Sequence, residues 1–293
     1  MDLINNLTLG FGVAFTMQNL IYAFIGCLLG TLIGVLPGIG PVATIAMLLP
    51  ATYALPPVAA LIMLAGIYYG AQYGGSTTAI LVNLPGESSS VVTVIDGYQM
   101  ARKGRAGPAL AAAGLGSFFA GCVGTLILAA FAAPLTEVAF KFGPAEYFSL
   151  MVLSFVTVSA VLGNSATRGL TSLAVGIILG LIGIDLQTGQ PRFTFGITEL
   201  LDGINVIVVA VGLFAVGEAL YNVMYEGRVD ETQNRLTSTH MTKEEWKRSW
   251  PAWIRATFIG FPFGTVPAGG SEIPTFLSYA AEKKLSKHKE EFG

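Results

Sequence analysis

The apolar residues of this chain fall into long, nearly uncharged runs at 17–36, 58–73, 107–133, 147–163, 169–184 and 203–225. Several approach the ~20 residues that a helix needs to cross a bilayer. A transmembrane barrel would alternate apolar and polar positions, and these runs do not. The pattern predicts an all-α, polytopic transmembrane helical protein.

Two stretches interrupt the pattern. Within 30–50 the apolar run is cut by Pro37-Gly38-Ile39-Gly40-Pro41 and then resumes, past Thr44, to about Tyr53. Proline removes a backbone donor and glycine removes helical stiffness, so a helix cannot pass here undisturbed. Between apolar flanks, this reads as a helix broken inside a membrane. Freed backbone groups are tolerated there only when protein covers them or when they line a polar cavity. Such a break is a candidate binding site. The second stretch, 73–90, reads YGGSTTAILVNLPGESSS and holds an apolar core too short to span. It is expected to be a re-entrant segment or half-helix opening at Gly74, Gly75, Ser76, Thr77 and Thr78. It closes with Asn83, Pro85, Gly86, Ser88 and Ser89. Hydroxyls beside exposed helix-terminal amides suit a carboxylate; the other reading is N-caps that satisfy their own helix.

The first break has an echo. An offset of 230 superimposes Gly30 on Gly260, Gly34 on Gly264, Pro37 on Pro267 and Gly40 on Gly270. Corresponding Gly/Pro interruptions in two halves point to a transporter built from repeats. The expected division is a first repeat at 1–225, a cytoplasmic linker at 226–250 and the start of a second repeat at 251–293. The spacing leaves open whether the repeat is parallel or inverted. Pro267, Gly269, Gly270, Ser271 and Glu272 form the echo of the first break. Glu272 either helps hold Na⁺ or a proton or acts as a first-turn acid on the following helix. Gly26, Gly30 and Gly34 line one helix face and suit close packing.

Charge orients the chain. Arg102, Lys103, Arg105, Arg168, Arg228, Arg235, Lys243, Lys247 and Arg248 collect in loops on one side, against Lys141 and Arg192 on the other. The first set is expected to be cytoplasmic. No arginine is expected at the site itself.

Composition narrows the class further. Of 293 residues, 53% are hydrophobic and 12% charged, with a mean hydropathy of +0.65. Soluble domains carry about a quarter charged residues. A net charge of −2 without a basic tract speaks against nucleic acid as a partner. Cys27 and Cys122 both lie in apolar runs, so no disulfide framework or metal cluster is indicated. His240 and His288 stand in polar segments without a second ligand, and no phosphate-binding loop is present. No Ser/His pair, HExxH or paired aspartates occur at membrane depth, so an enzyme is not expected. The first residues, MDLINN, lack the basic region of a cleaved signal peptide.

Both breaks belong to longer motifs: GTLIGVLPGIGPVATIAMLLP at 30–50 and IYYGAQYGGSTTAILVNLPGESSSVVTVIDGYQMARKGRAGPAL at 67–110. With KFGPAEYFSLMVL at 141–153, QTGQPRFTFGITELLDG at 187–203 and PAGGSEIPTFLSYAAEKKLSKHKEEFG at 267–293, the chain resembles the large membrane subunit (TctA) of tripartite tricarboxylate transporters. The resemblance implies a secondary transporter of the bacterial inner membrane, driven by Na⁺ or H⁺ and needing no cofactor. Its implied partners are a small membrane subunit and a periplasmic solute-binding protein that delivers tricarboxylates or related carboxylic acids. It also implies a longer protein, of which 251–293 begins an incomplete second repeat. The competing class is a non-transporting scaffold or a channel. As a mechanism, the breaks are expected to meet in the membrane. Amides at Gly38, Gly40 and 74–78 would take carboxylate oxygens, while Asn83, Ser88, Ser89 and carbonyls near Pro37 and Pro85 would line an ion path.

Overall fold

The structure, a computed structural model, describes residues 2–161, 166–185, 188–224, 238–265 and 270–293. Its helices are α1 (Asp2–Ala14), α2 (Met17–Gly34), α3 (Gly40–Leu48), α4 (Pro57–Val82), α5 (Val91–Thr93), α6 (Gln99–Arg102), α7 (Ala106–Ala139), α8 (Pro144–Val161), α9 (Ala166–Gly180), α10 (Val206–Val211), α11 (Gly217–Met224), α12 (Lys243–Thr265) and α13 (Glu272–Leu285). π turns at Val94–Tyr98 and Gly212–Val216 join α5 to α6 and α10 to α11. A two-residue antiparallel ladder pairs β1 (Gly183–Ile184), at the end of the apolar run 169–184, with β2 (Pro191–Arg192). The fold is all-α, as the apolar runs predict. Among the described residues, Met17–Gly34 and Ala106–Phe131 are the helices long and apolar enough to cross a membrane unaided.

Two elements depart from the sequence reading. α1 was not anticipated: its Asn5, Asn6, Thr8, Gly10 and Gly12 dilute the apolar signal. α4 does not stop near Tyr73 but runs unbroken through 74–78 to Val82. The half-helix expected to open at Gly74 is therefore the last part of a longer helix, and only its closing residues form a break. Arg255 lies within α12.

Glycine sets the closest packing. Gly26, Gly30 and Gly34 on α2 face the backbone of Met63, Ile67 and Ala71 on α4, and a Cβ on Gly30 would lie 2.2 Å from the Ile67 carbonyl oxygen. Gly66, Gly70 and Gly74 answer from α4, with a Cβ on Gly70 placed 2.1 Å from the Cys27 oxygen. Only hydrogen fits at these positions, so the two helices touch backbone to backbone.

Contact order gives the helix directions. The pairs Gly26–Met63, Gly30–Ile67 and Gly34–Ala71 advance together, so α2 and α4 run parallel and α3 carries the chain back between them. Tyr73 reaches Leu110 and Gly114 on α7 while Tyr69 reaches Gly121, so α7 runs against α4. α12 follows α7: Arg105, just before α7, pairs with Glu245, and Gly124 further on meets Phe261. α12 thus points opposite to α2, its partner at the offset of 230. The helix–break–helix units 17–48 and 243–285 are inverted relative to one another.

Each unit resumes helix on a left-handed glycine. Gly40 has φ +62° and Gly270 has φ +61°. An L side chain in that conformation costs roughly 1–2 kcal/mol, which explains glycine at both. The Arg105–Glu245 pair, 2.5 Å, also brings together two loops expected on the same membrane side.

Candidate functional site

The first break spans 35–39. Gly38, at φ +93°, donates its N–H to the Gly86 carbonyl at 3.2 Å. A donor freed from α2 is thereby satisfied by the second break rather than by its own helix. Pro37 is exposed, Gly38 and Gly40 are half-buried, and Pro41 and Thr44 are buried on α3. The Thr44 hydroxyl donates to the Gly40 carbonyl at 2.7 Å, one turn back along the helix.

The second break begins at Asn83, which ends α4 in left-handed geometry at φ +63°. Pro85 and Gly86 are buried, and a Cβ on Gly86 would lie 2.3 Å from the Gly75 Cα. Gly75 therefore serves close approach of the loop. Ser76, Thr77 and Thr78 donate their hydroxyls to carbonyls of α4 three or four residues earlier. In a continuous helix the amides of 74–78 are committed, so the anion-binding helix end expected there is absent. The physical reason is that the hydroxyls bond back into the ladder and both glycines are sheltered by α2 and the loop.

Sequence reasoning passed over Glu87. Its side chain accepts from the Ser90 N–H while Ser90 Oγ accepts from the Glu87 N–H at 3.2 Å, a reciprocal cap over Ser88–Ser90. Ser89 donates to Glu87 Oε1 at 2.5 Å. The signal available was an acid in a short polar segment between apolar runs, which is a functional-site flag in a membrane protein.

Ser88 alone among these serines reaches out of its loop. It donates to Glu272 Oε1 at 2.5 Å, 184 residues away. Glu272 is the first residue of α13, where the helix dipole favours an acid, yet its carboxylate oxygen is bonded across the molecule. A Cβ on Gly270 would lie 2.3 Å from Glu272 Oε2, so Gly270 also leaves room for that carboxylate. Ser271 directly precedes α13, and its carbonyl accepts from Thr275 at 2.6 Å. Pro267 and Gly269 lie outside the described residues.

The breaks at 35–39 and 83–90 therefore touch, Gly38 to Gly86, and the latter reaches the start of α13 through Ser88 and Glu272. Behind them α12 and α13 are clamped by Arg255, which donates through Nε and Nη2 to the two Glu282 oxygens at 2.5 and 2.7 Å. Without a reversal at the break, these residues would stand about 40 Å apart at 1.5 Å per residue. Surface concavity does not mark the same place. A groove of about 360 Å³ lies at Phe142, Ala145, Ser149 and Leu153, and its Glu146 caps α8 by accepting the Gly143 N–H. Backbone and charge converge at the breaks instead.

A polytopic helical membrane protein with paired, oppositely directed broken helices has the architecture of a secondary transporter. Comparison with known families agrees: residues 20–293 match the tripartite tricarboxylate transporter TctA family. The chain belongs to that family. It is 57% identical over 293 residues to an uncharacterized 52.8 kDa protein in the TAR-I ttuC' 3'region of Agrobacterium vitis. The match covers all of this chain and 58% of that relative. No solved structure matches.

Proposed function

We infer that this chain belongs to the large membrane subunit of an ion-gradient-driven importer of tricarboxylates or related carboxylic acids. It works in the bacterial inner membrane with a small membrane subunit and a periplasmic solute-binding protein. The observation that carries the reading is the meeting of the helix breaks, Gly38 on Gly86 and Ser88 on Glu272, in a chain of the TctA family.

Broken helices give the site its chemistry. Backbone groups around Gly38, Gly40 and Pro85, with Ser88 and Ser89, offer donors and acceptors that an intact helix would keep to itself. Glu272 and Glu87 supply negative charge that a coupling cation, Na⁺ or H⁺, neutralises as an anionic substrate enters. Opposed α2 and α12 let one unit move against the other for alternating access.

The test is counterflow of labelled citrate in proteoliposomes holding the full-length protein with its small subunit and binding protein. Accumulation driven by an imposed Na⁺ or proton gradient is expected. Flux without coupling would instead mark a channel, and no flux of any carboxylate would mark a scaffold. Replacing Pro37 and Gly40 together by alanine should abolish uptake while leaving the protein in the membrane.

A further inference from the structure

Each serine of 88–90 spends its hydroxyl differently. Ser89 donates to Glu87 Oε1 and Ser90 to the Glu87 carbonyl, so both bonds close the loop on itself. Ser88 donates to Glu272, which belongs to the oppositely directed unit. Breaking that bond leaves the Glu87–Ser90 cap intact. A serine hydroxyl has one proton to donate, so it serves a single carboxylate at a time. Ser88 and Glu272 are both half-buried, and Gly270 leaves the space beside the carboxylate unfilled by any side chain of its own.

We propose that the Glu272 carboxylate is the resting occupant of a substrate-carboxylate position on Ser88, and that an incoming carboxylic acid displaces it. This rests on the carboxylate-transport reading above and adds to it a substrate-binding hydroxyl and its built-in competitor. The exchange swaps one charge-assisted hydrogen bond for another of the same kind, so the loop gives up no net bond when substrate arrives. It also explains how substrate binding at the loop after α4 is felt by the 243–285 unit. As long as Glu272 holds Ser88 the loop and that unit are tied; once a substrate carboxylate takes the hydroxyl, they are released.

The test uses the full-length protein with its partner subunits and citrate as the probe. Removing the competitor with Glu272→Ala should lower the apparent KM for citrate by about tenfold, the order of one hydrogen bond to a charged group. Ser88→Ala should raise it by about the same factor, and Ser88→Thr should restore it. An unchanged or raised KM in Glu272→Ala overturns the proposal; an unaltered KM with a lowered maximal rate would make the acid a cation ligand only. A second measurement does not depend on transport: in the wild-type protein, hydrogen exchange at the amides of 87–90 and 272–275 should quicken when citrate is added, as the Ser88–Glu272 bond is exchanged. Exchange rates indifferent to citrate also overturn the displacement. If the wild-type protein takes up no carboxylate at all, the transport reading itself falls, a separate outcome.

Discussion

The two helix–break–helix units share a plan and differ in what holds them. In the first, α2 lies against α4 with carbonyl oxygens where side chains would otherwise be. In the second, α12 and α13 are held by side chains: the Arg255–Glu282 pair and a tryptophan cluster in which Trp250 packs on Phe119 at 4.7 Å and on Trp253 at 6.4 Å. Backbone contact through glycine is rigid, since nothing in it has a rotamer to change. Ion pairs and rings can re-form elsewhere. The first unit therefore reads as the fixed frame, and the second as the part able to move against it.

The strongest way to break this contrast is to put a side chain into the frame. Gly30→Leu would drive carbon into the Ile67 carbonyl and should cost about 3 kcal/mol or more, at the upper end of overpacking. Loss of the folded fraction in a detergent unfolding titration would register it. A mild effect would mean that α2 and α4 slide freely.

The clamp of the second unit should be worth less. Arg255→Gln leaves Glu282, whose side chain is 16% exposed, without its charged partner, while Arg255 itself is 40% exposed. Solvent screening reduces the penalty to about 1–2 kcal/mol, below that of a fully buried pair. A double-mutant cycle with Glu282→Gln in the same titration isolates the coupling.

The left-handed glycines allow a matched comparison. Gly40→Ala and Gly270→Ala each force an L residue into φ near +60° and should each cost roughly 1 kcal/mol. Their neighbours differ: a Cβ at Gly40 comes no nearer than 3.9 Å to Glu87 Cβ, whereas at Gly270 it meets Glu272 Oε2. That carboxylate sits at the end of a flexible chain and can swing aside. Melting temperatures should fall alike, while Gly270→Ala should in addition push the Glu272 carboxylate aside and so change the citrate KM through Ser88.

The smallest effect lies at the entrance to α12. The Thr242 backbone N–H, and after it Arg105, hold the Glu245 carboxyl below the usual glutamate range. A depressed value means that the contribution is complete above the ordinary pKa of about 4.3 and fades as pH falls through the lower folded value. Trp246 fluorescence should report fraying of the first turn on acidification below that point, while Gly30-dependent packing stays put.

Much of this was legible in the residues. Pro37 with Gly38 and Gly40 marks a break because proline and glycine act through local backbone geometry, which does not wait for a partner. The same holds for Gly270, whose φ matches that of Gly40 within a degree. Gly74 and Gly75 misled for the complementary reason. Glycine also permits close approach, and nothing within 73–90 says that α2 and Gly86 will cover them. Glu87 was overlooked because its role depends on Ser89, Ser90 and the fold of their turn.

The sequence by itself determined the all-α membrane class, the helix interruption at 37–40 and the internal offset of 230 that carries it to Gly270, since each follows from hydropathy or from sterics within a few residues. Tertiary structure decided the rest. Whether a glycine breaks a helix or lets another helix in depends on what packs beside it. The inversion of α12 against α2 depends on the route of the chain between them. The Ser88–Glu272 bond joins residues 184 apart, and no local rule relates two groups that only the completed fold brings into contact.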